Sequence, residues 1–424
     1  MSSLFVPVGV LAFAFALCVP FASSAEQIAP LTLNKALQRA ASGNPKLAVA
    51  QREIGIATGR RIQAGAIPNP EVSFELDNAF GTGDYRGLQS AETTVQLSQA
   101  IELGGKRDAR IAAGSAALES ARWELAAVRL EILSDTAVAF FNVLAGQRKV
   151  QIFDAQIASL DRLTPLLQRR VDAGASSPGE IARINLAGDL VRAERERART
   201  ALAIHRRELA MLMGAGRVDF SHVVGDFSRI GRPPAFAALL RGLERNPQLI
   251  RWTAVRAQRH AELLSARLKP YPDIKVELAW RHFRDTNDNA VRLGASIPLP
   301  VWDQNLGGIT EAQAAAAKAE AERAVNKATL ILTLAKAYDT LNGALREIAV
   351  LRGSAIPNAQ KAVETIESGY SQGRYTLLEV LDAQNAGAQA ALREQEALAS
   401  FHTAVATVEG LTGIPLILRR EGGR

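Results

Sequence analysis

Apolar positions between residues 36 and 66 recur with the spacing of a helix, and then the period switches to two. Val72, Phe74 and Leu76 alternate with Ser73, Glu75 and Asp77, which predicts a strand with one apolar and one polar face. After the glycine-rich loop from Phe80 to Gly87, Val95, Leu97 and Ile101 alternate with Gln96, Ser98 and Glu102, so the two runs form a hairpin. The same pattern returns later: Ile274, Val276, Leu278 and Trp280 oppose Lys275, Glu277 and Arg281, and Val291, Leu293 and Ile297 oppose Arg292, Gly294 and Ser296.

Each hairpin is followed by paired glycines, Gly104-Gly105 or Gly307-Gly308, and then by a long helical stretch. Lys106 to Val171 would reach about 100 Å at ~1.5 Å per residue, longer than a compact domain requires. Ile111, Leu118, Leu125 and Ile132 recur at sevens, while Ala314, Ala317, Ala321, Ala324 and Ala328 step by threes and fours. Both are coiled-coil seams, and the alanine seam predicts close helix approach. Pro165 and Pro357 are expected to bend or interrupt their rods. At the rod ends, Gly174 precedes Ser177-Pro178-Gly179-Glu180 and Gly373 precedes Thr376-Leu377-Leu378-Glu379, and both read as capping boxes opening a returning helix.

These elements are written twice. Asn44-Pro45 recurs as Asn246-Pro247, Pro68-Asn69-Pro70 as Pro270-Tyr271-Pro272, Gly174 with Glu180 as Gly373 with Glu379, and Leu212-Met213-Gly214 as Leu411-Thr412-Gly413. A coincidence in alanine-rich sequence would not keep register through so many prolines and glycines. The chain therefore divides into a signal (1–25), a first repeat (26–214), a linker (215–234), a second repeat (235–413) and a tail (414–424). Within the repeats, strands occupy about 70–102 and 272–300, and helical hairpins about 105–213 and 308–411.

Composition narrows the function. The 50 Lys and Arg against 43 Asp and Glu leave +7, but the charges are interspersed, which argues against a polyanion-binding tail. The lone cysteine, Cys18, and five scattered histidines give no zinc pattern, disulfide framework or thiol chemistry. No Ser/His/Asp, Cys/His or phosphate-loop motif appears, so neither an enzyme nor a cofactor is expected. Leu4 to Phe21 carries no charge and ends at Ser23-Ser24-Ala25 before Glu26, a cleavable export signal whose structural alternative is an uncleaved anchor helix. A lipid anchor on Cys18 is disfavoured by Leu17 before it.

A single two-faced hairpin would read as one packed on the helices. Four matched strands behind an export signal read instead as membrane strands, each near the length that a tilted strand needs to cross a bilayer. Four strands leave edges unsatisfied in lipid, so the barrel must be oligomeric. A plain antiparallel coiled coil remains the alternative for the rods alone.

With these motifs in place the chain resembles the TolC family of trimeric outer-membrane channels, in its heavy-metal-efflux (CzcC-like) branch. The resemblance rests on Pro68-Asn69-Pro70, Ile101 to Arg107, Pro298-Leu299-Pro300-Val301-Trp302-Asp303, Gly369 to Gly373, and Glu379 to Ala383, and it covers the whole chain after the signal. It implies a mainly α fold with a membrane β-barrel portion: a homotrimer with a 12-stranded outer-membrane barrel and a long periplasmic α-helical barrel. It implies residence in the outer membrane of a Gram-negative bacterium, and a passive exit duct for divalent cations of the cobalt, zinc and cadmium type. Its partners would be a periplasmic adaptor, a proton-driven inner-membrane pump of the RND class and outer-membrane lipid, with no nucleic acid. By the same resemblance Gly174 and Gly373 are adaptor-docking tips, Glu379 and Asp382 line the channel entrance, and Glu180 and Tyr370 link helices that hold it closed. The competing functions are a duct for multidrug efflux or type I protein secretion and, more distantly, a secreted coiled-coil scaffold.

Overall fold

The computed structural model describes residues 29–416; the export signal read over 1–25, with Cys18, lies outside them. The first half runs β1 (Leu31–Thr32), α1 (Leu33–Gly43), α2 (Pro45–Ala64), β2 (Glu71–Asp77), β3 (Glu92–Ile101), α3 (Lys106–Asp172) and α4 (Pro178–Leu212). The second half runs β4 (Val223–Val224), α5 (Phe236–Leu243), α6 (Pro247–Leu268), β5 (Ile274–Phe283), β6 (Asp288–Ser296), α7 (Leu306–Val350), α8 (Ile356–Ser371) and α9 (Leu377–Thr412).

The helix expected over 36–66 is two helices. Pro45 has no N–H to continue α1, and Asn44 turns extended and caps α2, accepting from the Lys46 amide at 2.9 Å. Asn246 does the same for α6. Each asparagine also donates to the last carbonyls of its own repeat's returning helix, Asn44 to Leu212 at 2.8 Å and Asn246 to Leu411 at 2.9 Å.

Neither proline breaks its rod. Pro165 sits inside the 67-residue α3, which gives up only one N–H toward Asp161. Before Pro357 the helix widens into a π turn over Leu351–Ala355, which relieves the clash of the proline ring with the preceding turn, so the rod continues from Leu306 to Ser371. The paired glycines are not equivalent. Gly104 and Gly105 are left-handed before α3, but Gly307 and Gly308 lie in the first turn of α7, and the left-handed residue there is Asn305. Asparagine tolerates that conformation, and Asn305 is held by bonds to Asp303 and Ala266. The alanine seam is not used within one subunit: all five alanines are exposed in the single chain. The buried stripe of α7 is Leu330, Leu334, Ala337, Leu341, Ala344 and Ile348, because α5 and α9 pack there. On α3, Leu118 and Ile132 of the heptad seam are buried as expected.

The segment read as a linker carries β4, which pairs in parallel with β1, and Gln147 of α3 clamps Val223 through both its N–H and its carbonyl. Phe220, Val223 and Phe227 thereby enter the main core with Phe140, Phe141, Leu209, Leu341 and Phe401.

The four long strands form one antiparallel sheet in the order β2-β3-β5-β6. Its register stacks Val72, Leu97, Leu278 and Leu293 in one row and Phe74, Val95, Trp280 and Val291 in the next, all of them exposed on the same face. Every Asp, Glu, Lys and Arg of the four strands, from Glu71 to Arg292, falls on the opposite face. There Arg281 donates to Thr94 at 3.0 Å and Glu92 at 2.9 Å, and Arg292 to Gln96 at 2.7 Å, so the polar face satisfies itself across the strands. The sheet joins its rod through Asp273, which accepts from Lys106 Nζ at 2.9 Å and from the Leu103 amide at 3.1 Å.

Candidate functional site

Both rods end in the same turn. The amide of Gly174 bonds to Val171 O and that of Ala175 to Arg170 O; Gly373 and Arg374 repeat this toward Tyr370 and Gly369. These are Schellman motifs, and φ is +71° at Gly174 and +74° at Gly373. A Cβ at either would meet nothing within 4 Å, so the backbone conformation alone, not crowding, requires glycine.

The two returning helices are capped differently. Thr376 and Glu379 form a full capping box: Glu379 Oε2 accepts from Thr376 N at 2.7 Å, and Thr376 Oγ1 accepts from Glu379 N at 3.4 Å. The box expected at Ser177 and Glu180 does not form. Ser177 Oγ takes the Gly179 amide at 3.2 Å, and the Glu180 amide goes to the Ser177 carbonyl, which leaves the Glu180 side chain outside the cap. The Thr376 amide holds the Glu379 carboxyl below the usual glutamate range. Asp382 lies one turn on along the same exposed stretch of α9, while Val380 and Leu381 between them are buried.

Beneath the tips, Leu160, Leu167, Ile184, Tyr370, Leu377, Val380 and Leu381 make a small core that joins the α3–α4 and α8–α9 hairpins. Tyr370 is 1% exposed, and its hydroxyl has no hydrogen-bond partner, Glu180 included. Burial raises the phenol above its ordinary range, opposed by Arg170 and aided by the charge of Glu180. The residue that does engage Tyr370 is Arg170, whose Nη1 donates to the Tyr370 carbonyl at 2.7 Å while the guanidinium lies 4.9 Å from the ring centroid. Gln384 adds a second crosslink, from α9 to Ser159 at 2.9 Å and Glu367 at 2.7 Å. Sequence reasoning passed over both; the signal for Arg170 was a basic residue in the last turn before a C-terminal glycine. Among the described residues no group of three or more His, Cys, Asp or Glu could hold a metal.

Comparison with known proteins gives the same architecture. The family model described as "Outer membrane efflux protein" matches residues 36–215 and 240–414. The cobalt-zinc-cadmium resistance protein CzcC of Cupriavidus metallidurans is 30% identical over 388 residues, covering 92% of this chain and 91% of that protein. The nickel and cobalt resistance protein CnrC of the same organism is 24% identical, covering 72% and 74%. The Campylobacter jejuni CmeC outer membrane channel superposes with a TM-score of 0.77 at 15% identity, over 90% of this chain and 85% of that one.

Proposed function

This chain belongs to the outer membrane efflux protein family, and on that premise we propose that it is the exit duct through which a proton-driven tripartite pump expels divalent heavy-metal cations of the cobalt, zinc and cadmium kind. It is an outer-membrane efflux channel, and its role is transport. The observation that carries the metal reading is the end-to-end likeness to a cobalt-zinc-cadmium resistance protein.

The geometry supports a duct. One sheet edge is β2 and the other β6, so three copies placed edge to edge pair both and give twelve strands with no edge left in lipid. The apolar rows then face lipid and the charged face turns to the lumen, which the long helical rods continue into the periplasm. In this reading each repeat, 26–214 and 235–413, supplies one hairpin and one tip. Gly174 and Gly373 present open backbone to a periplasmic adaptor, which links the duct to an inner-membrane RND pump. Glu379 and Asp382 put carboxylates at the entrance, where rings of one sign favour the opposite charge. Tyr370, buried in the core that joins the two hairpins, and Glu180, whose charge acts on its phenol, serve as the link that keeps the entrance narrow. Passage requires no chemistry on the cargo.

The test is a deletion strain grown on a panel of divalent metals and of drugs, with and without the gene restored. Lost tolerance to cobalt, zinc or cadmium that returns with the gene is the expected result. Unchanged metal tolerance with lost drug tolerance would assign the duct to multidrug efflux.

A further inference from the structure

Four helices run in the same order as the four long strands. α2 leads into β2, α3 leaves β3, α6 leads into β5 and α7 leaves β6, and below the sheet α2 packs on α3, α3 on α6 and α6 on α7. The helix row therefore ends where the sheet ends, with α2 at one edge and α7 at the other. Pairing β6 of one copy with β2 of the next brings α7 of the first beside α2 of the second. On the trimeric outer-membrane reading above, we propose that the alanine seam of α7 packs there against a glycine face of the neighbour's α2, as an antiparallel pair of closely spaced helices that clasps the subunits below the strands.

Both faces point out of the row. Ala57 of α2 is buried against Leu118 and Ala121 of α3, and Gly55 and Gly59, two residues to either side of it, are exposed. Ala319 of α7 is buried next to the Arg256–Glu320 ion pair with α6, and Ala317 and Ala321, again two residues to either side, are exposed. Two residues turn a helix by about 200°, so each exposed pair looks away from the inner neighbour.

Their heights agree as well. A Cβ at Gly114 of α3 would meet the Arg61 Cα of α2 at 3.1 Å, Glu124 of α3 pairs with Arg251 of α6, and Arg256 of α6 pairs with Glu320 of α7. Counting along the helices from one contact to the next sets Gly59 level with Ala317 and Gly55 level with Ala321. The match continues along both faces: Ala48, Arg52, Gly55, Gly59 and Ile62 are spaced by four, three, four and three, and so is the alanine seam from Ala328 back to Ala314.

The residue types call for another backbone. Glycine inside a helix weakens it relative to alanine. A Cβ at Gly55 or Gly59 would meet nothing within 4 Å, so no contact within the chain requires glycine at either place. A second helix lying close against this face does, because small residues facing small residues let two helices approach to the near end of the usual ~8–10 Å separation or below it. Val49, Ile56 and Val325, exposed in the single chain, flank the two faces and are covered by the same contact.

Cysteine cross-linking of the full chain in detergent, in a Cys18→Ser background that removes its one cysteine, tests the contact. A disulfide needs Cα atoms about 4.4–6.8 Å apart. Gly59→Cys with Ala317→Cys, and Gly55→Cys with Ala321→Cys, should each give covalently linked subunits on oxidation, while Gly59→Cys with Ala328→Cys, about 17 Å out of register, should give none. In a second arm, Gly55→Leu with Gly59→Leu should raise the dissociation constant of the trimer about tenfold or more by overpacking the contact. On an uncovered helix leucine is simply the better helix former and leaves assembly untouched. A trimeric parent whose matched pairs do not cross-link, or whose trimers withstand both leucines, would overturn the contact and leave the trimer standing. A parent of monomer mass in detergent would instead sink the trimeric reading, and the contact with it.

Discussion

Arg170 and Tyr370, two hundred positions apart, occupy neighbouring places in two matched helix ends, and the side chain of the first bonds to the carbonyl of the second at 2.7 Å. Both rods run toward the tips, so α3 and α8 bring two partly negative C-termini side by side. The guanidinium lies between them, bonded to Tyr370 O, to Ser176 Oγ at 3.2 Å and stacked over the Tyr370 ring, so one cation offsets both ends.

Replacing Arg170 with Met should free the α8–α9 tip from the α3–α4 tip, at a cost of about 1–3 kcal/mol confined to that region. Spin labels at Ala175→Cys and Gln372→Cys report the separation directly. The distance distribution should broaden in Arg170→Met and only partly in Arg170→Lys, which keeps the charge but loses the fork. Identical distributions in all three would mean that the tip core alone sets the spacing.

For the proposed entrance, Asp382→Asn with Glu379→Gln should lower cation preference in planar bilayers while trimers still form, because neither change removes buried apolar area. The pH behaviour follows from the capping box. Glu379 has a lowered pKa in the fold, so its charge and its cap persist as pH falls past the ordinary glutamate value of about 4.3 and are lost only on passing the lower folded value. Its contribution to cation preference should therefore be flat between about pH 7 and pH 5. Recordings of the double variant that match the parent would move the constriction elsewhere.

His402 is buried in the main core, stacked 4.5 Å from Phe141 and 5.3 Å from Phe227, with Nε2 bonded to the Phe227 carbonyl and Nδ1 unpartnered. Burial lowers its pKa, so the unfolded chain takes up the proton first as pH falls. Stability should be complete above about pH 6.5 and decline below it, by at most about 1.4 kcal/mol per pH unit and protomer. Melting temperatures at neutral and mildly acid pH, compared between the parent and His402→Phe, measure this. The variant should show a smaller acid loss, and an equal loss would assign the effect to other groups.

Asn44→Ala and Asn246→Ala each remove a helix cap together with a buried bond to the end of the returning helix. Each should cost about 1–2 kcal/mol, and the two should add because the sites share no partner. Serine at either position restores the cap alone and should recover about half of the loss. Chemical denaturation of the detergent-solubilised protein reads these differences, and a change at one site but not the other would deny the equivalence of the repeats.

What the sequence determined by itself was whatever local backbone geometry dictates. Alternation at Val72, Phe74 and Leu76 is legible because successive strand residues point to opposite faces, and the tips at Gly174 and Gly373 are legible because a left-handed residue after a helix calls for glycine. The strand faces, the long rods and the turn positions followed from that. Tertiary structure decided everything that needs a partner distant in sequence: that α7 buries Leu334 and Leu341 while its alanine seam stays uncovered within the subunit, that β4 in the linker pairs with β1, and that Asn305 rather than a glycine takes the left-handed place before α7. It also decided that Ser177 and Glu180 do not close a box as Thr376 and Glu379 do, and that Arg170 rather than Glu180 holds Tyr370. Spacing along a chain specifies which side chains share a face, but which of two usable faces is covered depends on the free energy of packing against elements that arrive from hundreds of residues away.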